Sequence, residues 1–559
     1  MIFHYRCLGL LWGILAMVTR INQVQAAQVP PNVPLAKQQQ LVMNNGVEVQ
    51  TLDPHKTTGW PEANVMRDLL EGLVVMDPEG KTAPGVASYW QHSADLKTWT
   101  FYLRHDAKWS NGDPVTARDF VYSWRRLADP KTKAPKASYL MDMHLLNSQA
   151  VIQGQLPPEK LGVSALDQHT LQLQLTQPVA YLVDMLVYYP LFPVHAPTVE
   201  QYGNGVDDNK WYAVKHHVGN GAYRLTEWVV NEKLVLNRSP TYWNNPQTVI
   251  NRVTYLPTND EVVDTRRYLA GEIDISNARL PIERWEHLQQ ERPKEIYLAP
   301  SWSTYIFELN QAMKQFQDSR VRQALSLVLD RQQLVSKLTR QRETPAYTLN
   351  PVGMGGFSAP LPEWATWSQS RRNQEAKRLL KQAGYDEQHP LKFRLLFNVS
   401  EVHQQICLAV IGQWQQQLGC VQVNLDCQEW KVFLLSRLDG EFQMCRNGQQ
   451  AVYSEPSALL NIYLSYSSEN STRYRSEAFD RIMAQAVQAT DRQQRYRYYQ
   501  QAEQQLAKDV PIIPLFHCVN VRLVKPYVKG LSPRNPMNTI YTKDLYLIQH
   551  KQLPSRYRQ

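Results

Sequence analysis

Trp99-Thr100-Phe101-Tyr102-Leu103-Arg104, followed closely by Lys108-Trp109-Ser110-Asn111-Gly112-Asp113-Pro114-Val115-Thr116-Ala117-Arg118-Asp119-Phe120-Val121-Tyr122-Ser123, is the stretch that decides the fold class. Alternating apolar residues at its start predict a strand, Gly112 and Pro114 a turn, and Thr116 the cap of a helix beginning near Ala117. Strand-like and helix-like periods keep alternating along the chain, which indicates a mixed α/β protein rather than a bundle or a sandwich. After Asp318-Ser319-Arg320, the residues Val321, Ala324, Leu325, Val328 and Leu329 fall on one helical face. A second helix over 373–383 buries Ala376, Leu379, Leu380 and Ala383 and stops at Gly384, which ends a helix without a Cβ penalty. Pro390 leads into a strand over 391–397. The polar run 492–508 reads as a solvated amphipathic helix, and 510–515 as an apolar strand.

The chain has 559 residues, 43% hydrophobic and 20% charged, which is enough for more than one core. Mean hydropathy is −0.46, and past the N-terminus no apolar run approaches the roughly 20 residues of a bilayer span. At the N-terminus, Arg6 precedes an apolar run over 7–18, and Val24-Gln25-Ala26-Ala27 offers small residues for cleavage, so 1–26 reads as a secretory signal peptide. Cys7 opens that run rather than following it, so it is not placed for lipidation. The reading is a soluble periplasmic protein.

Five cysteines remain, Cys407, Cys420, Cys427, Cys445 and Cys518, so at least one lacks an intramolecular partner. None forms a CxxC pair, which disfavours zinc; an oxidising compartment permits a disulfide but leaves the pairing open. The net charge of +9 at pH 7 comes from basic residues interleaved with acids, which reads as general surface charge and not as a nucleic-acid site. The 14 histidines are scattered without a ligand pattern, and GxSxG, HExxH and GxxxxGK[ST] are absent. The expectation is a protein with no metal, no cofactor and no catalytic residues. No low-complexity linker separates segments, so lobes are joined by short crossings that suit a hinge.

The opening stretch resembles the signature of the periplasmic oligopeptide-binding proteins, the extracytoplasmic solute-binding components of ABC peptide importers. Further matches are Thr51-Leu52-Asp53-Pro54-His55, Arg67-Asp68-Leu69-Leu70-Glu71-Gly72-Leu73, Gly219-Asn220-Gly221-Ala222-Tyr223, Ser239-Pro240-Thr241-Tyr242-Trp243, Gly271-Glu272-Ile273-Asp274 and Arg522-Leu523-Val524-Lys525-Pro526. They follow the family's order over nearly the whole chain. The resemblance implies a type II periplasmic-binding-protein clamshell with an extra inserted lobe. Lobe I would comprise 27–71, 197–302 and 520–559, lobe II 72–196, and lobe III 303–519. It further implies a monomer that closes on an extended peptide, pairs with its backbone as with an added strand, and docks in the closed form on an inner-membrane ABC permease.

The resemblance also implies site residues. The family meets the peptide's C-terminal carboxylate with cationic groups, and the matching positions are Arg446, Arg437 and His403; a guanidinium fork suits a carboxylate. Trp430 matches a pocket aromatic, and Trp60 and Tyr453 are placed among the ligand contacts. One departure stands out. The family anchors the ligand's α-ammonium on an aspartate just before Tyr-x-Glu-Pro; here Val452 precedes Tyr453-Ser454-Glu455-Pro456, and no acid lies between Glu441 and Glu455. Gln449 and Gln450 stand where the family's Trp and Cys are expected, and Ser303 replaces the other half of its disulfide. A buried ammonium without a counter-charge costs several kcal/mol. Three readings follow: another acid holds the ammonium, the ligand is modified or non-peptide (an N-blocked peptide, a murein fragment, a metal chelate or haem), or peptide transport has been lost. The neutral amides of Gln449 and Gln450 fit a blocked N-terminus best.

Overall fold

The computed structural model describes residues 27–57, 59–203, 210–550 and 557; the expected signal peptide lies outside them. In the opening stretch, Thr98–Leu103 is a strand that buries Trp99, Phe101 and Leu103 on one face. The turn holds Gly112 at φ +98°, a conformation that strains any side chain. Helix Ala117–Ala128 follows, and the Asp119 carboxylate accepts from the Thr116 backbone N–H at 2.7 Å and its hydroxyl at 3.0 Å.

Two expected boundaries shift. The helix expected over 373–383 runs Gln369–Gln382, four residues earlier at its start, because the Ser368 hydroxyl accepts from the Arg371 N–H. That first turn is polar, so apolar periodicity does not reveal it. The strand expected from 510 begins at Ile512, since Val510 at φ +49° closes the preceding helix Arg492–Asp509.

Three larger sheets carry the architecture. The first orders Gln40–Asn44, Arg252–Leu256, Lys233–Arg238 and Tyr223–Val229, with the first pair parallel. The second, antiparallel and wholly within 72–196, orders Ala87–His92, Thr98–Leu103, Thr170–Gln174 and Val163–Ala165. The third, mixed, orders Thr344–Pro345, Ile512–Leu523, Ile296–Leu309, Met444–Gln450, Leu391–Asn398 and Val421–Gln428.

The expected lobe boundaries at 302/303 and 519/520 fall inside two long paired strands, Ile296–Leu309 and Ile512–Leu523. Their pairing shifts register between Pro300 and Thr304 and again between Tyr305 and Ile306. On one side of the shifts, Leu298, Val519, Val521 and Leu523 pack with Val42 and Leu256 of the first sheet. On the other, Phe307, Leu309, Ile513 and Leu515 pack with Leu325, Leu395 and Trp414. A bulged ribbon linking two separate cores is a place where strands bend without breaking either core.

The cysteines at 407, 420, 427, 445 and 518 are all free, and among the described residues no cluster of His, Cys, Asp or Glu is arranged to hold a metal. No described helix is long and apolar enough to cross a membrane.

Candidate functional site

A chamber of about 410 Å³ is walled by residues from all three expected lobes. Every residue singled out above as a ligand contact lines it: Trp60, His403, Trp430, Arg437, Arg446, Gln449, Gln450, Val452 and Tyr453. Their chemical states differ from one another, and those states decide what the chamber can hold.

Arg446 sits on strand Met444–Gln450, opposite Phe307 in the neighbouring strand. It is 5% exposed, its guanidinium carbon lies 5.1 Å from the Phe433 ring centre, and its Nε is buried without a hydrogen-bond partner. It forms no ion pair among the described residues. Burial lowers its pKa to about 10, with Tyr305 opposing the shift and the like charge of Arg279 reinforcing it. A buried cation with no internal counter-charge is an anion site in waiting.

Arg437 is different. From helix Trp430–Asp439 its Nε and Nη2 reach both carboxylate oxygens of Glu308, at 2.8 and 2.9 Å. Glu308 is fully buried and accepts further bonds from Asn447, Ser471 and Gln449 at 2.8, 2.8 and 3.2 Å. Burial alone would raise this carboxyl, but Arg437 and these donors hold it below its ordinary value. Arg437, expected among the cationic contacts of a ligand carboxylate, is thus already paired inside the protein, and Glu308 holds its guanidinium protonated.

His403 likewise has partners inside the protein. It lies in the first turn of helix Glu401–Leu418, 1% exposed. Arg279 Nη1 is 2.7 Å from its Nε2, and Tyr305 Oη is 3.2 Å from its Nδ1. A guanidinium only donates, so Nε2 accepts and Nδ1 carries the proton. Burial first, then Arg446 and Arg279, push the imidazole well below its usual pKa; it is neutral and orients Arg279 instead of adding a charge. Arg279 itself, exposed and lining the chamber, has no sequence motif around it. We expect the His403 ring resonances to show no protonation between pH 8 and 5 in an NMR titration, whereas a cationic role would give a midpoint inside that range.

Around the missing aspartate, Val452 is partly buried against the main core. The Tyr453 ring stacks on Tyr181 at 6.1 Å and meets Tyr139 edge-on at 6.4 Å, and its hydroxyl lies 3.1 Å from Ser457 Oγ. Tyr181 and Tyr139 belong to the expected lobe 72–196, so Tyr453 marks where those residues meet the expected lobe 303–519. Gln449 donates to Glu308; Gln450 accepts from Ser301 at 3.2 Å and donates to the Pro536 carbonyl at 3.4 Å. Both amides are thus engaged by the protein, which weakens the case for their capping a blocked N-terminus. Gln450 stands directly opposite Ser303 in the strand register, so the two altered positions are spatial neighbours. Trp430 stacks with Phe433 at 5.8 Å and leaves its buried Nε1 without a partner, and Trp60 opens helix Trp60–Leu69 with Arg67 5.6 Å from its ring.

Residues 81–471 match the family described as bacterial extracellular solute-binding proteins, family 5 Middle. The chain is 48% identical to the periplasmic oligopeptide-binding protein OppA of Salmonella typhimurium over 538 residues, 96% of this chain and 98% of the relative. A crystal structure of Haemophilus influenzae OppA in complex with RPPGFSPFR superposes with a TM-score of 0.88 at 42% identity, covering 92% of this chain and all of that one. The murein tripeptide-binding protein MppA of Escherichia coli, 41% identical and likewise covering 92% and 100%, superposes at 0.89. MppA in its unliganded open form, at the same 41% identity and covering 93% and 99%, reaches only 0.68. Identity is equal in the two MppA comparisons, so the present structure differs in arrangement from the unliganded open form and superposes better on the other MppA structure.

Proposed function

This chain belongs to family 5 of the bacterial extracellular solute-binding proteins, and on that premise we propose that its chamber captures peptides in the periplasm by lobe closure and delivers them to an ABC importer. The observation that carries this reading is Arg446, a buried guanidinium lining the chamber without an internal counter-charge. A peptide's C-terminal carboxylate supplies what it lacks, with Arg279 beside it on the neutral His403. Arg437 contributes rigidity: Glu308 accepts from it and from Asn447 and Gln449, and so ties the helix that carries Trp430 to the strand that carries Arg446.

Closure follows from the same geometry. The chamber walls come from segments joined by the bulged ribbon, so a guest touching several of them favours the shut state by the difference in its contacts. The protein works as a monomer, without cofactor or catalysis. Mass spectrometry of material co-purified from the periplasm tests the ligand class: short peptides are expected, and a homogeneous non-peptide compound would overturn the reading. Solution scattering provides an independent check, with the radius of gyration expected to fall when peptide is added to stripped protein.

A further inference from the structure

The end of the chamber near Val452 has lost one acid and holds another. Asp142 closes the short helix Tyr139–Asp142 of the inserted segment, three residues from the Tyr139 ring that touches Tyr453. It is 7% exposed and lines the chamber. Among the described residues, the one hydrogen bond to its carboxylate is a long contact from the Tyr466 hydroxyl at 3.4 Å. Nearby, Lys136 pairs with Glu469, both of them also lining the chamber, and Ser138 and Ser468 share a 2.7 Å hydroxyl contact. Lys136 therefore answers Glu469 and leaves Asp142 unanswered.

We propose that Asp142, reaching across from the inserted segment, takes the place of the absent aspartate at position 452 and holds the α-ammonium of a peptide with a free N-terminus. The assignment rests on the peptide-binding reading above and chooses among the three possibilities left by Val452. Arg446 then takes the carboxylate end and Asp142 the ammonium end, among other charged residues that line the chamber, Arg67, Arg279, Arg522 and Glu343. Once Asp142 is ionised, it and Glu469 against Lys136 leave one negative charge for a guest cation to cancel. Burial, then the neighbouring Glu469, push the Asp142 carboxyl well above its ordinary value, with Tyr466 and Lys136 opposing. An ammonium at that point relieves the strain of ionising it. The buried tyrosines Tyr139, Tyr188 and Tyr453 frame the same corner and exclude water, so an ion pair formed there is weakly screened. The site also ties ligand to closure, because Asp142 and Arg446 lie on different sides of the seam.

The test is calorimetry with Ala-Ala-Ala and its N-acetylated form on stripped full-length protein, wild type and Asp142→Asn. Wild type is expected to bind the free tripeptide more tightly than the acetylated one. Asp142→Asn is expected to lose about 30-fold or more in affinity for the free form and to keep its affinity for the acetylated form within about twofold, since that ligand brings no charge to the corner. Persistence of the preference in Asp142→Asn overturns the assignment, as does an equal loss for both ligands, which would mark Asp142 as a structural part of the seam. A wild type without preference, or preferring the acetylated form, overturns it while leaving peptide binding intact. A wild type that binds neither peptide overturns the peptide reading and this assignment together. A crystal structure of wild type with Ala-Ala-Ala decides the point without any substitution: the terminal nitrogen is expected within about 3 Å of the Asp142 carboxylate, and a nitrogen held elsewhere refutes the proposal.

Discussion

Arg446→Met is expected to weaken binding of a peptide with a free C-terminus by about 30- to 5000-fold while leaving the unliganded protein no less stable. The first effect follows from desolvation: a carboxylate brought to a buried guanidinium gains a charge-assisted, bidentate bond in a weakly screened site, and truncating one partner of such a pair costs about 2–5 kcal/mol. The second follows because Arg446 has no acid to lose. Its Nε is already without a partner, so replacing the side chain by an apolar one of similar length removes a buried cation instead of orphaning one. C-terminal amidation of the peptide is expected to reproduce most of the loss on wild type and to add little on Arg446→Met. An undiminished affinity for the free peptide would relocate the carboxylate elsewhere.

Glu308→Ala is expected to show the opposite division, with a large loss of stability. Glu308 is fully buried and accepts from Arg437, Asn447, Ser471 and Gln449. Removing it leaves the Arg437 guanidinium, whose side chain is 16% exposed, without its acid, and breaking a buried pair on one side costs about 3–5 kcal/mol. Paired replacement, Glu308→Leu with Arg437→Met, is expected to recover most of that loss, and denaturant unfolding of the four proteins measures the coupling. The pH dependence has a definite sign. The Glu308 carboxyl is held below its ordinary value in the folded state, so its contribution is complete above the unfolded value of about 4.3 and disappears as pH falls through the folded value. The gap between wild type and Glu308→Ala therefore narrows in acid. A gap that stayed constant would mean that the cost arises from packing and not from the ion pair.

How much of this was legible differs between the local and the long-range. Thr116 and Asp119 set the start of helix Ala117–Ala128 through contacts three residues apart, and Gly384 at φ +89° follows the end of helix Gln369–Gln382. The Ser368 start of that same helix was not legible from apolar spacing, because a capping hydroxyl carries no hydrophobic signal. Glu308 had one visible mark, an acid inside the apolar run Tyr305-Ile306-Phe307-Glu308-Leu309, which implies a buried partner without saying which. Arg279 and Asp142 had none, standing in segments with no motif around them.

The sequence by itself determined the mixed α/β class, the order of strands and helices and, through resemblance, the family and the positions that wall the chamber. Only the tertiary structure decided which of those positions carry charge. Arg437 is paired with an acid 129 positions away, His403 is held neutral beside a guanidinium 124 positions away, and Asp142 lines the same chamber as Tyr453 from a distant part of the chain. The reason is physical: helix caps and turns depend on neighbours along the chain, whereas the ionisation of a buried group depends on the water removed and the charges within a few ångströms, and folding alone assembles both.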